Sequence, residues 1–173
     1  MDTFILRQLG LAVALSTSMG MAWAASSNDF VDSAAVGGIA EIETSKLALE
    51  KSQSADIKAF ANTMITDHTK ANDELKALAQ KHDIEVPDDT TLMKKAKEKI
   101  LEVRDESFDA AYANNQVKAH EETIELFKKE ANTVTDDKKA GNTELKAFAQ
   151  KMLPALQHHL EEAKKLQAAH PSK

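Results

Sequence analysis

Residues Ile57 to Leu78 read IKAFANTMITDHTKANDELKAL. At helical spacing, Ile57, Phe60, Ala61, Met64, Ala71, Leu75 and Leu78 share one stripe, the pattern of an amphipathic helix with a buried face. One member of that stripe is polar: His68, four residues after Met64 and three before Ala71. The stretch has a partner near the C-terminus, where Leu145 to Leu166 read LKAFAQKMLPALQHHLEEAKKL. Both carry Lys-Ala-Phe-Ala, then two polar residues, then Met, and the second copy has His159 on its apolar stripe. Two long helices, each with an inward histidine, therefore set the frame for the rest of the chain.

The remaining sequence supplies further helices. Asn28 caps a first helix that runs to about Lys51, with Phe30, Val31, Ala34, Ala35, Ile42, Ala48 and Leu49 on its apolar side. Glu41 lies on the same side. Gly37 and Gly38 interrupt this helix at about 1 kcal/mol each relative to alanine, which implies close approach by a neighbour or room left for something. Ser54 caps the second helix, which ends near His82, and so short a connection makes the first two helices antiparallel neighbours. Pro87 and its flanking aspartates break the pattern. A short, lysine-rich helix from about Thr91 to Val103 then reads as part of a crossover. A third long helix starts at Asp105 to Ser107 and ends near Ala131, with Tyr112, Ala113, Gln116, His120, Thr123, Ile124 and Phe127 inward. The fourth starts at Asn142 or Thr143. Pro154 is expected to kink it or mark a restart, and the tail after Ala168 is expected to fray. The whole is all-α: a four-helix bundle with a long crossover between its second and third long helices.

Composition agrees with this and narrows the function. The chain has 173 residues, with only 5 Gly and 3 Pro, which suits a single helical domain large enough to bury a core. Its formal charge is −6 without any basic tract, which argues against nucleic-acid binding. Cysteine is absent, which removes disulfides, thiolate ligands and a lipid-anchored cysteine together. Residues 1–24 read as a secretory signal peptide: Arg7, the apolar run Leu9 to Leu15, and Ala22-Trp23-Ala24 as the cleavage pattern. The mature domain is then 25–173, periplasmic or secreted. The signal segment is short for a span and no second apolar run follows it, so stable membrane insertion after cleavage is not expected.

Each long helix thus carries one conspicuous ionisable residue on its apolar face: Glu41, His68, His120 and His159. Counting ~1.5 Å per residue places them roughly 17, 21, 21 and 15 Å from one end of the bundle, at matched depth. Three imidazoles and a carboxylate at one level are a candidate site for one divalent metal, with Zn, Fe, Mn and Cu all open. The competing reading is a polar layer without metal, in which the histidines hydrogen-bond to Glu41, Gln116, Thr123 or water, within a structural module that binds a protein partner or a second copy. Asp67 and Glu121, each beside a histidine, read as solvated groups or as supports for a ligand. His158 points away, His82 and His170 are terminal, and Met64 and Met152 read as core. Nucleophilic catalysis finds no support: there is no cysteine, no serine at a strand-to-helix elbow and no glycine-rich phosphate loop. A metal-dependent enzyme is a third reading, which needs an open coordination position and a substrate cleft that the sequence does not show.

Three segments, KAFANTMITDHTKANDELKALA, FDAAYANNQVKAHEETIELFKKEA and LKAFAQKMLPALQHHLEEAKKL, resemble the secreted bacterial family catalogued as domain of unknown function 4142. The resemblance spans about Asp29 to Leu166 and is specific in Asp67-His68, His120-Glu121 and Pro154 to Leu160. It implies a ferritin-like four-helix bundle and, by analogy at the level of the family, a role in envelope stress. It carries no activity. Ferritin-like di-metal sites use Glu-x-x-His on two helices and a glutamate on each of the others. Here Ile65 and Leu156 stand three residues before His68 and His159, and His120 stands where a glutamate is expected. A ferroxidase or di-iron oxygenase site is therefore not implied, and a mononuclear site or none fits the residues.

Overall fold

The computed structural model describes residues 28–97, 107–134 and 141–172. Among these there are five helices and no strand: α1 (Asp29–Lys51), α2 (Ala55–Lys81), α3 (Asp89–Lys97), α4 (Phe108–Ala131) and α5 (Asn142–Ala169). The stretch read as a signal peptide lies outside the described residues, as do Ile100 and Val103 of the crossover helix.

The helix starts are chemically ordinary. The Asn28 side chain accepts from the Val31 amide at 3.0 Å, and the Ser107 hydroxyl accepts from the Ala110 amide at 3.3 Å, each satisfying an amide that the first turn leaves open. Ser54 occupies the cap position of α2 but makes no side-chain cap bond. Its hydroxyl instead donates to Asp109 of α4, tying the starts of two helices together. Helix α5 runs unbroken through Pro154, so the expected restart does not occur. Pro154 is exposed, and the hydrogen bond its ring removes lies on the face where water can replace it.

Helix α1 packs on α2, and α4 on α5; the two pairs meet through α1 with α4 and α2 with α5. Contacts between helices fix the directions. Phe30 at the start of α1 meets Phe127 near the end of α4, with ring centroids 5.1 Å apart. Ser45, late in α1, hydrogen-bonds Tyr112, early in α4, at 3.0 Å. Lys81 at the end of α2 reaches Glu144 at the start of α5 at 2.8 Å. Each neighbouring pair is therefore antiparallel, and α4 runs parallel to α2. One long crossover containing α3 joins them, and α3 packs along α1 with Leu92 and Ala96 buried.

The core is divided in two. One apolar cluster gathers Phe30, Leu75, Ile124, Phe127, Phe148 and Leu156; the other gathers Ala48, Ile57, Phe60, Met64, Tyr112 and Ala163. Along every long helix, a buried polar residue stands between the two: Glu41, His68, His120 and His159 are 5, 8, 1 and 4% exposed. No described helix is long and apolar enough to cross a membrane.

The far end is more ordered than its sequence suggests. The His170 ring lies 2.9 Å from Asp56 at the start of α2, and the Asn114 amide donates to the Ser172 hydroxyl at 2.9 Å. The expected fraying after Ala168 is replaced by a tether, because α5 is long enough to bring His170 level with the start of α2. His82, too, has a place: it lies 3.2 Å from Glu144 and packs against Gly141, whose φ of +90° lets the chain turn into α5.

Candidate metal centre

His68, His120 and His159 come from α2, α4 and α5, and one ring nitrogen of each lies within 4.8 Å of the other two. The rings form a nearly equilateral triangle, with centroid separations of 5.7, 5.8 and 5.5 Å. The matched level of His68 and His120 follows from the sequence. His68 is thirteen residues into α2 and His120 twelve into α4, and these two helices run in the same direction.

Hydrogen bonds assign the protons on two of the rings. His120 Nδ1 lies 2.9 Å from the Gln116 carbonyl, one turn earlier in α4. A carbonyl only accepts, so Nδ1 carries the proton and Nε2 is left with a lone pair. His159 Nε2 lies 3.0 Å from the Asp67 carboxylate, which likewise accepts and leaves the lone pair on Nδ1. Those freed nitrogens, His120 Nε2 and His159 Nδ1, are buried and have no hydrogen-bond partner; His68 Nε2 is in the same condition. Each ring therefore presents one buried nitrogen without a partner, and two are oriented from behind by a carbonyl or a carboxylate. That is the supporting arrangement found behind metal-binding histidines.

Burial keeps these rings neutral. It is the largest cause lowering the His68 pKa to about 3 and the His120 pKa to about 4, with the neighbouring imidazoles adding repulsion for His68. His159 is also lowered by burial, against an opposing pull from the Asp67 carboxylate. Neutral imidazole is the form that ligates a metal.

Glu41 stands outside this group of three among the described residues. Two contacts set the register of α1 against α4: Phe30 with Phe127, and Ser45 with Tyr112. Counting in from either one puts Glu41 level with Gln116 and Gly37 level with His120. The Glu41 backbone is therefore about one helical turn, or ~6 Å, along the bundle from that of His120. Glu41 lines the seam between α1 and α4 beside Asn115, Lys118 and Glu122.

At the level of His120, the backbone of α1 carries its two glycines. Both readings of the Gly37-Gly38 pair are realised, one at each residue. A Cβ on Gly38 would lie 2.3 Å from the Asn72 side chain, so Gly38 permits close approach of α2. A Cβ on Gly37 would meet nothing within 4 Å, so Gly37 leaves room. The room belongs to a cavity of about 290 Å³ that reaches from His68 and His159 toward Leu75 and Phe148.

Asp67 is the supporting residue that sequence reading could not place. Its neighbour in the chain is His68, yet its carboxylate serves His159 on another helix. Glu121 is exposed and takes no part in the group. Gln116 is fully buried with neither end of its amide hydrogen-bonded; its contribution to His120 is through its backbone carbonyl.

No curated protein and no solved structure matches the chain. A match to one family, described as Domain of unknown function (DUF4142), covers residues 12–166 and includes all three histidines. With most of its length inside that match, the chain belongs to this family of helical domains.

Proposed function

We propose that this domain holds one divalent transition metal through His68, His120 and His159 in the periplasm, after loss of an N-terminal signal peptide. The observation that carries the reading is three buried histidines brought together from three helices, each with a buried ring nitrogen that has no hydrogen-bond partner. An unsatisfied buried polar atom costs ~1–3 kcal/mol, and three in one layer need a reason to persist. A metal ion satisfies all three at once.

The donor set narrows the metal. Three neutral imidazoles without a carboxylate in the group suit Zn²⁺ or Cu²⁺, whereas Mn²⁺ favours oxygen ligands. A tetrahedral ion with ~2.0–2.1 Å bonds needs its nitrogens ~3.3 Å apart, so the rings would close in modestly from their present spacing. Three protein ligands also leave a fourth position, and Gly37 gives the site free space on the α1 side. A part in envelope stress is the physiological setting that the ferritin-like resemblance suggests.

The test is calorimetry on metal-stripped mature protein near neutral pH. Zn²⁺ or Cu²⁺ at a hundredfold excess over its dissociation constant should stabilise the fold by about 2.7 kcal/mol, read as a raised Tm. His68→Leu should abolish that rise. Absence of binding, or equal binding after all three histidines are replaced, would refute the site and leave a hydrated polar layer in a structural module.

A further inference from the structure

The cavity beside the histidines is larger than a metal ion and its water require. At about 290 Å³ it has roughly twice the volume of the ~150 Å³ engineered cavity known to hold benzene. It extends along the bundle for seven residues of α2, from His68 to Leu75, or ~10 Å. Its walls are apolar and partly aromatic: Phe127 and Phe148 pack against each other with centroids 6.0 Å apart, and Leu75 and Leu156 complete the inner end. The other end is polar, lined by His68, His159 and Asp67. Lys70, Glu74 and Lys151 also border the cavity, marking where it reaches the surface between α2 and α5. Apolar walls with one polar end make a site for a molecule that is itself apolar with one polar end.

We infer that this cavity is a binding site for a small, flat, largely apolar organic molecule, about the size of a two-ring aromatic, whose single polar group faces His68. The volume sets the size and the phenylalanines favour a flat ring system. Gly37 borders this space, and a bulky side chain there would occupy part of it. The pocket itself does not depend on a bound metal, since its walls are all side chains of the chain. With a metal on the three histidines, the same polar group would take the fourth position; that detail alone rests on the metal reading.

The test uses naphthol as the probe and naphthalene as the matched molecule without a polar group, titrated into metal-stripped mature protein and into zinc-treated protein. Naphthol should bind saturably at one site in the metal-stripped protein, severalfold more tightly than naphthalene. His68→Leu should erase the difference between the two. Gly37→Leu and, separately, Ala155→Phe should each weaken naphthol binding at least tenfold, with a helical spectrum and cooperative melting confirming that each variant folds. Unsaturable binding, or binding indifferent to both plugging substitutions, would overturn the pocket. Equal affinity for naphthol and naphthalene in the wild type would overturn the placement of the polar group at His68. Zinc binding is read separately by calorimetry, so a pocket that binds naphthol in a protein that ignores zinc upholds this inference while refuting the metal site.

Discussion

Asp67 shows how much of the candidate site depends on one carboxylate. By accepting the Nε2 proton of His159, it decides that Nδ1 is the nitrogen left to bind, and it does so from a half-exposed position on a different helix. Replacing it leaves the imidazole in place but removes both its orientation and the negative charge behind it. Asp67→Ala is expected to weaken Zn²⁺ binding 10–100-fold, the usual loss when such a supporting partner is removed. Competition titration against a chelator of known affinity measures it. Glu121→Ala, beside His120 but exposed, should leave affinity unchanged; equal losses in both would mean that only nearby charge matters.

At the scale of the element, α1 is unusual in placing two glycines mid-helix, and they act differently. Gly37→Ala adds helix propensity with no steric conflict, because its Cβ meets open space, and should stabilise the protein by roughly 0.5–1 kcal/mol. Gly38→Ala gains the same propensity but drives a Cβ into Asn72, whose amide donates to the Ala35 carbonyl at 3.5 Å. It should therefore be clearly less favourable than Gly37→Ala, by about 1 kcal/mol or more. Urea unfolding of the two variants decides the point, and equal effects would show that the glycine pair has no division of labour. The same helix explains why Glu41 fell outside the group. Inward phase on a helix is legible from spacing, but a buried side chain can face either the bundle axis or the seam with one neighbour. Glu41 takes the seam with α4.

For the whole molecule, the histidine layer makes stability depend on pH. His68 and His120 have folded pKa values of about 3 and 4, against 6.5 when exposed in the unfolded chain. Below about pH 6.5 the unfolded chain takes up protons that the fold refuses, so acidification favours unfolding. The stability associated with the neutral rings is present above pH 6.5 and is lost as pH falls toward the folded values. Each such group contributes a slope of up to ~1.4 kcal/mol per pH unit in that window. Metal-stripped protein should lose stability steeply between about pH 7 and pH 5, where ordinary carboxylates hardly titrate. A variant with glutamine at positions 68, 120 and 159 should show a much flatter profile. If the two profiles coincide, the layer is hydrated well enough to protonate in place.

The long helices, the cap at Asn28, the inward phase of His68, His120 and His159 and their matched depth are legible in the sequence because they are local, resting on periodicity, capping chemistry and counting along one chain. The cap at Ser107 is narrowed by the sequence only to Asp105 to Ser107. It also showed that Gly37 and Gly38 needed an explanation, without saying which would be crowded and which open. The tertiary structure decided the rest. The direction of α4 comes from Phe30 against Phe127 and Ser45 against Tyr112, contacts between residues far apart in the chain. The freed nitrogens of His120 and His159 depend on which acceptor each ring reaches, and for His159 that acceptor is Asp67 on another helix. The Glu41 backbone stands one turn from the level of His120, a shift within the uncertainty in helix ends read from sequence. Ring orientation, register and empty space are properties of several chain segments at once, and no single segment encodes them.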